Sequence, residues 1–300
     1  MFHVKHLGKL KLVVITGPTA SGKTKLAVKL AQAVGGEIIS ADSRQVFVGM
    51  DIGTGKDLEE YQGVPYHLID IKSPHETFSV SEFQRLATEA AQEIHQRGCV
   101  PILCGGSGHY IKALLQNYSF GHTAHNPYFS FSLESLPRPL LLQIHEHLEL
   151  SGPTDSNRRI ARSIEKTYDP PPELTPQAFE FETKIYATRP ERPVLREMIK
   201  TRLEERLNHG LIEEVSGLLA QGVPADHLRK FGLEYRWVTD YLDQWIDLNT
   251  LKKSLHQGIC QFAKRQETFL RYMAKEGLDI QDCPDITKLV AEVSQWLAEP

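Results

Sequence analysis

Residues Gly17-Pro18-Thr19-Ala20-Ser21-Gly22-Lys23-Thr24 fit the phosphate-loop pattern G-x-x-x-x-G-K-[ST] at every fixed position. The chemistry of that pattern is anion binding. Backbone N–H groups and a helix N-terminus point at a diphosphate or triphosphate. Lys23 adds a positive charge, and the Thr24 hydroxyl is a ligand for Mg²⁺. The flanks suit the motif: Leu12 to Ile15 reads as a buried strand, and Leu26, Leu30 and Ala33 mark a following helix. A plain Gly-rich turn would not need both flanks and the full pattern. The loop specifies a phosphorylated ligand but not a reaction.

Two further segments carry candidate chemistry. Glu37 to Ser40 reads as a strand that ends in Ala41-Asp42-Ser43-Arg44-Gln45. A carboxylate past a strand's carboxyl end, beside a bound phosphate, acts as a general base or holds a metal. A turn or helix-capping aspartate is the alternative for Asp42. Val100 to Cys104 is an apolar strand running into Gly105-Gly106-Ser107-Gly108, a second glycine turn that offers the Ser107 hydroxyl. In an open α/β sheet both turns face the ligand crevice.

The elements that must hold these residues follow from pattern. His67 to Ile71 is a further strand candidate. Ser79 with Glu82 forms a capping box opening a helix that carries Phe83, Leu86, Ala90 and Ile94 and stops at Gly98. Strand and helix alternate through this half, which predicts a mainly parallel sheet. From Asn117 to Pro139 the period is lost. Helices are expected around Leu140 to Leu150 and over Asp155 to Lys166, the latter basic through Arg158, Arg159 and Arg162. Three successive prolines after Tyr168 mark a loop. Phe181 to Ala187 reads as a returning strand. Leu195, Ile199, Leu203 and Leu207 share one helical face, Gly210 and Gly222 punctuate two helices, Leu251 to Met273 is a long amphipathic helix, and Ile286 to Leu297 closes the chain.

Composition narrows the classes. The chain has 300 residues and a net charge of −4, so an anionic polymer must be held by a local patch rather than by overall charge. Basic residues gather in 155–166, in 184–206 and in the long helix at Lys264, Arg265, Arg271 and Lys275. Solvated helix faces explain part of this charge. The remainder suggests one region for a small phosphorylated substrate and another for an anionic polymer. Met1 to Lys11 lacks the features of a signal peptide, no run is long and apolar enough to span a bilayer, and the four cysteines lack metal-site spacing. A cytoplasmic protein with reduced thiols is expected.

Together the segments GPTASGKT (Gly17 to Thr24), ISADSRQ (Ile39 to Gln45), MDIGTGK (Met50 to Lys56), HLID (His67 to Asp70), GGSGHY (Gly105 to Tyr110), Arg158-Arg159 with Arg162, GLIEEV (Gly210 to Val215) and AKRQETFLR (Ala263 to Arg271) resemble the tRNA dimethylallyltransferase family, over nearly the whole chain. The resemblance implies an α/β, P-loop NTPase-like parallel sheet flanked by helices. The core would span 1–116, a helical insertion gripping tRNA 117–180, and a C-terminal part of the core, mainly helices lining a channel, 181–300. It implies transfer of a dimethylallyl group from dimethylallyl diphosphate to N6 of the adenosine 3′ of the anticodon, with Mg²⁺ as cofactor. Asp42, Ser107 and Lys23 would be catalytic. Gly17 to Thr24 and Arg202 would hold the diphosphate, with Thr24 on the metal. Asp42, Ser43, Arg44, Gln45, Ser107, Arg158, Arg159, Arg162, Lys264 and Arg265 would contact the tRNA anticodon stem-loop. No obligate protein partner is implied, and a monomer is expected.

Departures from the family pattern are Phe47 for a common tyrosine, Ser107 for threonine, Gly55-Lys56-Asp57 for Ala-Lys-Pro, Met198 at a second basic position, and a short stretch between Gly121 and Ser156. A small-molecule or nucleoside kinase, with Asp70 as its acidic metal residue, is the alternative enzyme. A nucleotide-dependent RNA-binding module is the alternative without turnover.

Overall fold

The computed structural model describes residues 10–117, 133, 135–151, 154–168 and 180–299. Contact density divides the chain into two compact units, one of residues 1–117 with 179–300 and one of residues 118–178.

The first unit is built on a six-stranded sheet whose paired strands all run parallel: β1 (Leu10–Thr16), β2 (Gly36–Ser40), β3 (Tyr66–His67), β4 (Val100–Gly105), β5 (Phe181–Ala187) and β6 (Ile280–Asp282), in the order β3-β2-β4-β1-β5-β6. Its central strands are near-continuous apolar runs because both faces are covered, as parallel sheets require. Alternate residues of β1 serve opposite cores. Leu10, Leu12 and Val14 pack under α2 (Val80–Gln96), α3 (Gly108–Leu115) and the end of a long helix, α10 (Leu248–Lys275). Val13 and Ile15 pack under α1 (Lys23–Val34) and α11 (Ile286–Ala298).

Four helices, α6 (Arg192–Asn208), α7 (Leu211–Ala220), α8 (Ala225–Phe231) and α9 (Leu233–Leu242), close a third core with the first half of α10 and with Val46, Phe47 and Met50. Two helices were expected where these four lie. Gly232 divides α8 from α9 and has no apolar period of its own to announce the break.

One strand expectation needs correction, and one strand was not expected. The strand expected over His67 to Ile71 is two residues long, Tyr66–His67, because Leu68 and Asp70 take φ of 62° and 56°, outside strand geometry. Strand β6 was not anticipated; its three residues carry too little alternation to be read. At α2, Ser79 Oγ accepts the Glu82 N–H at 3.1 Å, while the Glu82 carboxylate pairs with Lys72, so only half of the capping box forms.

The second unit contains α4 (Arg138–His147) and α5 (Asn157–Tyr168), packed through Leu133, Leu141, Ile160, Ala161 and Ile164. The irregular stretch expected from Asn117 to Pro139 and the proline loop after Tyr168 lie mostly outside the described residues.

Candidate active site

The carboxyl ends of β1, β4, β2 and β5 lie side by side in the sheet. The segments that follow them are the phosphate loop, the Gly105–Gly108 turn, the Asp42 loop and Thr188. This end of an open α/β sheet is where ligands bind.

The phosphate loop turns on αL backbone at Ala20 (φ 62°) and Gly22 (φ 79°), and Gly22 caps α1 with open space beside it. Such a turn aims the unpaired N–H groups of a helix's first turn outward. Ser21 Oγ meets Thr188 Oγ1 at 2.5 Å, and the Thr188 N–H donates to the Thr16 carbonyl at 2.9 Å. At Gly17 a Cβ would fall 2.1 Å from Thr188 Oγ1, so the close approach requires glycine. Lys23, half-buried, donates to the Pro18 carbonyl at 3.3 Å. Desolvation lowers its pKa, and the Arg202 and Arg206 guanidiniums act in the same direction, against Cys104 and Asp42.

Asp42 and Ser107 are joined through backbone. Asp42 Oδ1 accepts the Arg44 N–H at 2.9 Å in a tight turn. The Ser107 hydroxyl accepts the Ser43 N–H at 3.2 Å, and the Ser107 N–H donates to the Ala41 carbonyl at 3.2 Å. The structure therefore brings together Asp42, Ser43 and Ser107, all half-buried. Arg44 and Gln45 use their side chains within the protein. Arg44 donates to the Lys230 carbonyl at 3.1 Å over the Phe231 ring, and burial lowers its pKa. The Gln45 amide spans Ser40 Oγ (2.8 Å) and the Gly55 carbonyl (2.9 Å).

The MDIGTGK turn frames the same site from the α6 side. Lys56, fully buried, donates to the Phe47 carbonyl (2.7 Å) and to Asp51 (2.6 Å), and pairs with Asp70. Glu214, in the GLIEEV segment, accepts the backbone N–H groups of Asp51 (2.7 Å), Ile52 (2.6 Å) and Gly53 (3.0 Å), together with the Tyr235 hydroxyl (2.8 Å). Arg202 pairs with Asp57 at 2.9 Å and Arg206 with Glu234 at 3.4 Å. A Cβ at Gly55 would sit 1.7 Å from an Arg206 nitrogen and 2.2 Å from an Arg202 nitrogen, so the two guanidiniums are in near contact where that turn has no side chain. Burial lowers the Arg206 pKa and raises that of Glu234, and Arg206 Nε is buried without a partner.

Arg206, Thr188 and Gln266 are the site residues that sequence reading missed. Arg206 carried a usable signal, since it follows Arg202 by four residues on one helix face. Thr188 had none. Gln266 was overlooked beside its charged neighbours Lys264 and Arg265, which lie on the exposed side of α10. Arg158 and Arg159 are exposed on α5 in the second unit; Arg159 pairs with Asp155 at 2.7 Å, and Arg162 pairs with buried Glu165 at 2.6 Å.

The model of the IPP transferase family matches residues 45–273. The chain is 44% identical over 278 residues to tRNA dimethylallyltransferase 2 of Syntrophotalea carbinolica, covering 90% of this chain and 92% of that one. It is 42% identical to tRNA dimethylallyltransferase 1 of Geotalea uraniireducens, over 89% of this chain and 90% of the relative. The solved tRNA isopentenylpyrophosphate transferase of Bacillus halodurans superposes with a TM-score of 0.72 at 33% identity, over 97% of this chain and 96% of that one. With this site at the carboxyl end of a parallel sheet and this likeness along nearly its whole length, the chain belongs to the IPP transferase family, that of the tRNA dimethylallyltransferases.

Proposed function

We propose that the chain moves a dimethylallyl group from dimethylallyl diphosphate to N6 of the adenosine 3′ of the anticodon in tRNA, releasing diphosphate. The observation that carries this reading is the joining of the Asp42 loop to the Ser107 turn beside a phosphate loop. A base and a diphosphate cradle then face one crevice. The C1–O bond of the allylic diphosphate breaks and its electron pair leaves with the diphosphate. The N6 lone pair forms the new N–C bond, and the N6 proton passes to the Asp42 carboxylate. An exocyclic amine is a poor nucleophile because its lone pair is delocalised, so proton removal in the transition state is valuable.

Lys23, the unpaired backbone N–H groups of the Gly17 to Thr24 loop and Arg202 bind the diphosphate and stabilise the charge that develops on it. Arg206, beside Arg202 at Gly55, adds to that positive charge. Ser107, fixed by the Ser43 N–H, faces the target base with Ser43. The base lies in an RNA loop and is unstacked to enter the site. Arg158, Arg159, Arg162, Lys264 and Arg265 are assigned to the RNA backbone, and Arg44 and Gln45 shape the loop that receives the base. The insertion over 117–180 is read as the segment that grips the stem, and residues 181–300 as the part that lines the channel. The enzyme is read as a cytoplasmic monomer; no helix among the described residues is long and apolar enough to cross a membrane.

A Mg²⁺ ion fits the donor set. In phosphate sites Mg²⁺ is held by few protein oxygens, with the rest from substrate phosphates and water. The Thr24 hydroxyl, in the first turn of α1, would supply such an oxygen. Cys104 beside it does not compete, because burial raises its pKa to about 11 and keeps it a thiol. When bound, the ion neutralises charge on the leaving diphosphate.

A kinase is not favoured: Asp70, the acidic residue it would need, is held by buried Lys56. The deciding experiment follows label into an anticodon stem-loop. Transfer from dimethylallyl diphosphate supports the proposal. Transfer from ATP to a small acceptor supports a kinase, and RNA binding without turnover supports a binding module.

A further inference from the structure

One side chain joins the phosphate loop to the Gly105–Gly108 turn. The Gln266 amide oxygen accepts the Thr19 N–H at 2.8 Å, and its nitrogen donates to the Gly106 carbonyl at 3.0 Å. The amide's orientation is dictated by its partners, since the backbone N–H only donates and the carbonyl only accepts. A Cβ at Gly106 would lie 2.4 Å from Gln266 Nε2, so the turn has glycine where the amide enters. One helical turn on, the Phe269 ring approaches so closely that a Cβ at Gly108 would sit 2.1 Å from it. Helix α10 is thus seated on both sides of Ser107.

We infer that Gln266 is a positioning residue for the prenyl transfer, setting the phosphate loop at a fixed place relative to Ser107 and Asp42. This rests on the function proposed above. The phosphate loop holds the diphosphate, and the Gly105–Gly108 turn bears Ser107, which faces the target base and is bonded to Ser43, next to the general base Asp42. Both loops are glycine-rich, and such backbone is free to drift unless braced. Thr188 braces the phosphate loop against β5. Gln266 braces it against the turn that bears Ser107, which in turn holds Ser43 beside Asp42. The bond to Gln266 also commits the Thr19 N–H to the protein, leaving the diphosphate to the other loop amides. A misplacement of about 1 Å between reacting groups costs on the order of 10²-fold in rate. The residue therefore acts on the chemical step more than on either binding step.

The test compares wild type, Gln266→Ala and Gln266→Glu by single-turnover prenyl transfer at saturating dimethylallyl diphosphate and stem-loop. Inorganic diphosphate affinity by calorimetry, stem-loop affinity and melting temperature are measured on the same samples. The expected result for Gln266→Ala is a rate loss of about 10²-fold, with diphosphate and RNA affinities changed only a few-fold. Gln266→Glu keeps the acceptor for Thr19 but turns a carboxylate toward the Gly106 carbonyl, and it should lose rate as well. A wild-type single-turnover rate in folded Gln266→Ala overturns the inference. So does a loss confined to RNA affinity, or a lower melting temperature with normal rate in the folded fraction. If wild type transfers no prenyl group, the proposed function fails and the inference goes with it; if wild type transfers the group and folded variants match its rate, the function stands and the inference falls.

Discussion

The Ser107 hydroxyl accepts the backbone N–H of Ser43 at 3.2 Å, one residue past Asp42. That bond ties the turn after β4 to the turn after β2 and leaves the hydroxyl proton free to donate toward the crevice. Asp42→Asn keeps the shape and the Arg44 N–H bond but loses the proton acceptor. Its single-turnover rate should fall about 10²- to 10⁴-fold with both substrates still bound. A near-wild-type rate in a folded variant ends the general-base assignment, and recovery at high Mg²⁺ would point to metal binding instead.

Lys23 supplies a prediction with two opposed pH effects. Lys23→Ala should lose diphosphate affinity while the fold survives, checked by calorimetry and circular dichroism. In the wild type, burial holds the folded-state pKa below 10.5, so the unfolded chain binds more protons between the lowered value and 10.5. Stability from this group therefore rises as pH climbs through that window. Diphosphate affinity should fall over the same window, because the bound anion faces an increasingly neutral amine. Melting temperature and affinity against pH, wild type beside Lys23→Met, check both signs.

Glu214 should prove structural. Its carboxylate takes three consecutive backbone N–H groups and the Tyr235 hydroxyl, all of which lose their acceptor in Glu214→Ala. Denaturant unfolding should show a loss of about 2 to 4 kcal/mol. The Arg202–Arg206 pair rests on this turn at Gly55, so diphosphate affinity should weaken with it. An unchanged unfolding midpoint would refute the capping role.

The arginines of α5 should separate into two kinds. Arg158→Ala with Arg159→Ala should weaken stem-loop binding and reduce the log–log salt slope by about 0.7 to 0.9 per lost phosphate contact. Dimethylallyl diphosphate affinity should barely move. Arg162→Ala breaks an ion pair with Glu165, which is 2% exposed, and should lower thermal stability as well. A wild-type salt slope in the double variant would make Arg158 and Arg159 solvated surface.

The phosphate loop, the parallel sheet and the long C-terminal helix were legible in the sequence because each is a local pattern. A strand, a glycine loop and a helix start within a few residues of one another, and their period or punctuation is written in contiguous chain. The strand expected through Ile71 failed because Asp70 turns to reach Lys56, a partner that its neighbours do not reveal. Sequence alone thus determined which ligand chemistry the chain carries and which sheet end must present it. The tertiary structure decided which side chains meet there: Gln266 on Thr19, Thr188 on Ser21, Glu214 under the Asp51–Gly53 turn, and Arg206 against Gly55. Those contacts join residues up to 247 positions apart. A hydrogen bond or ion pair of that span depends on the path of the whole chain, so no local pattern announces it.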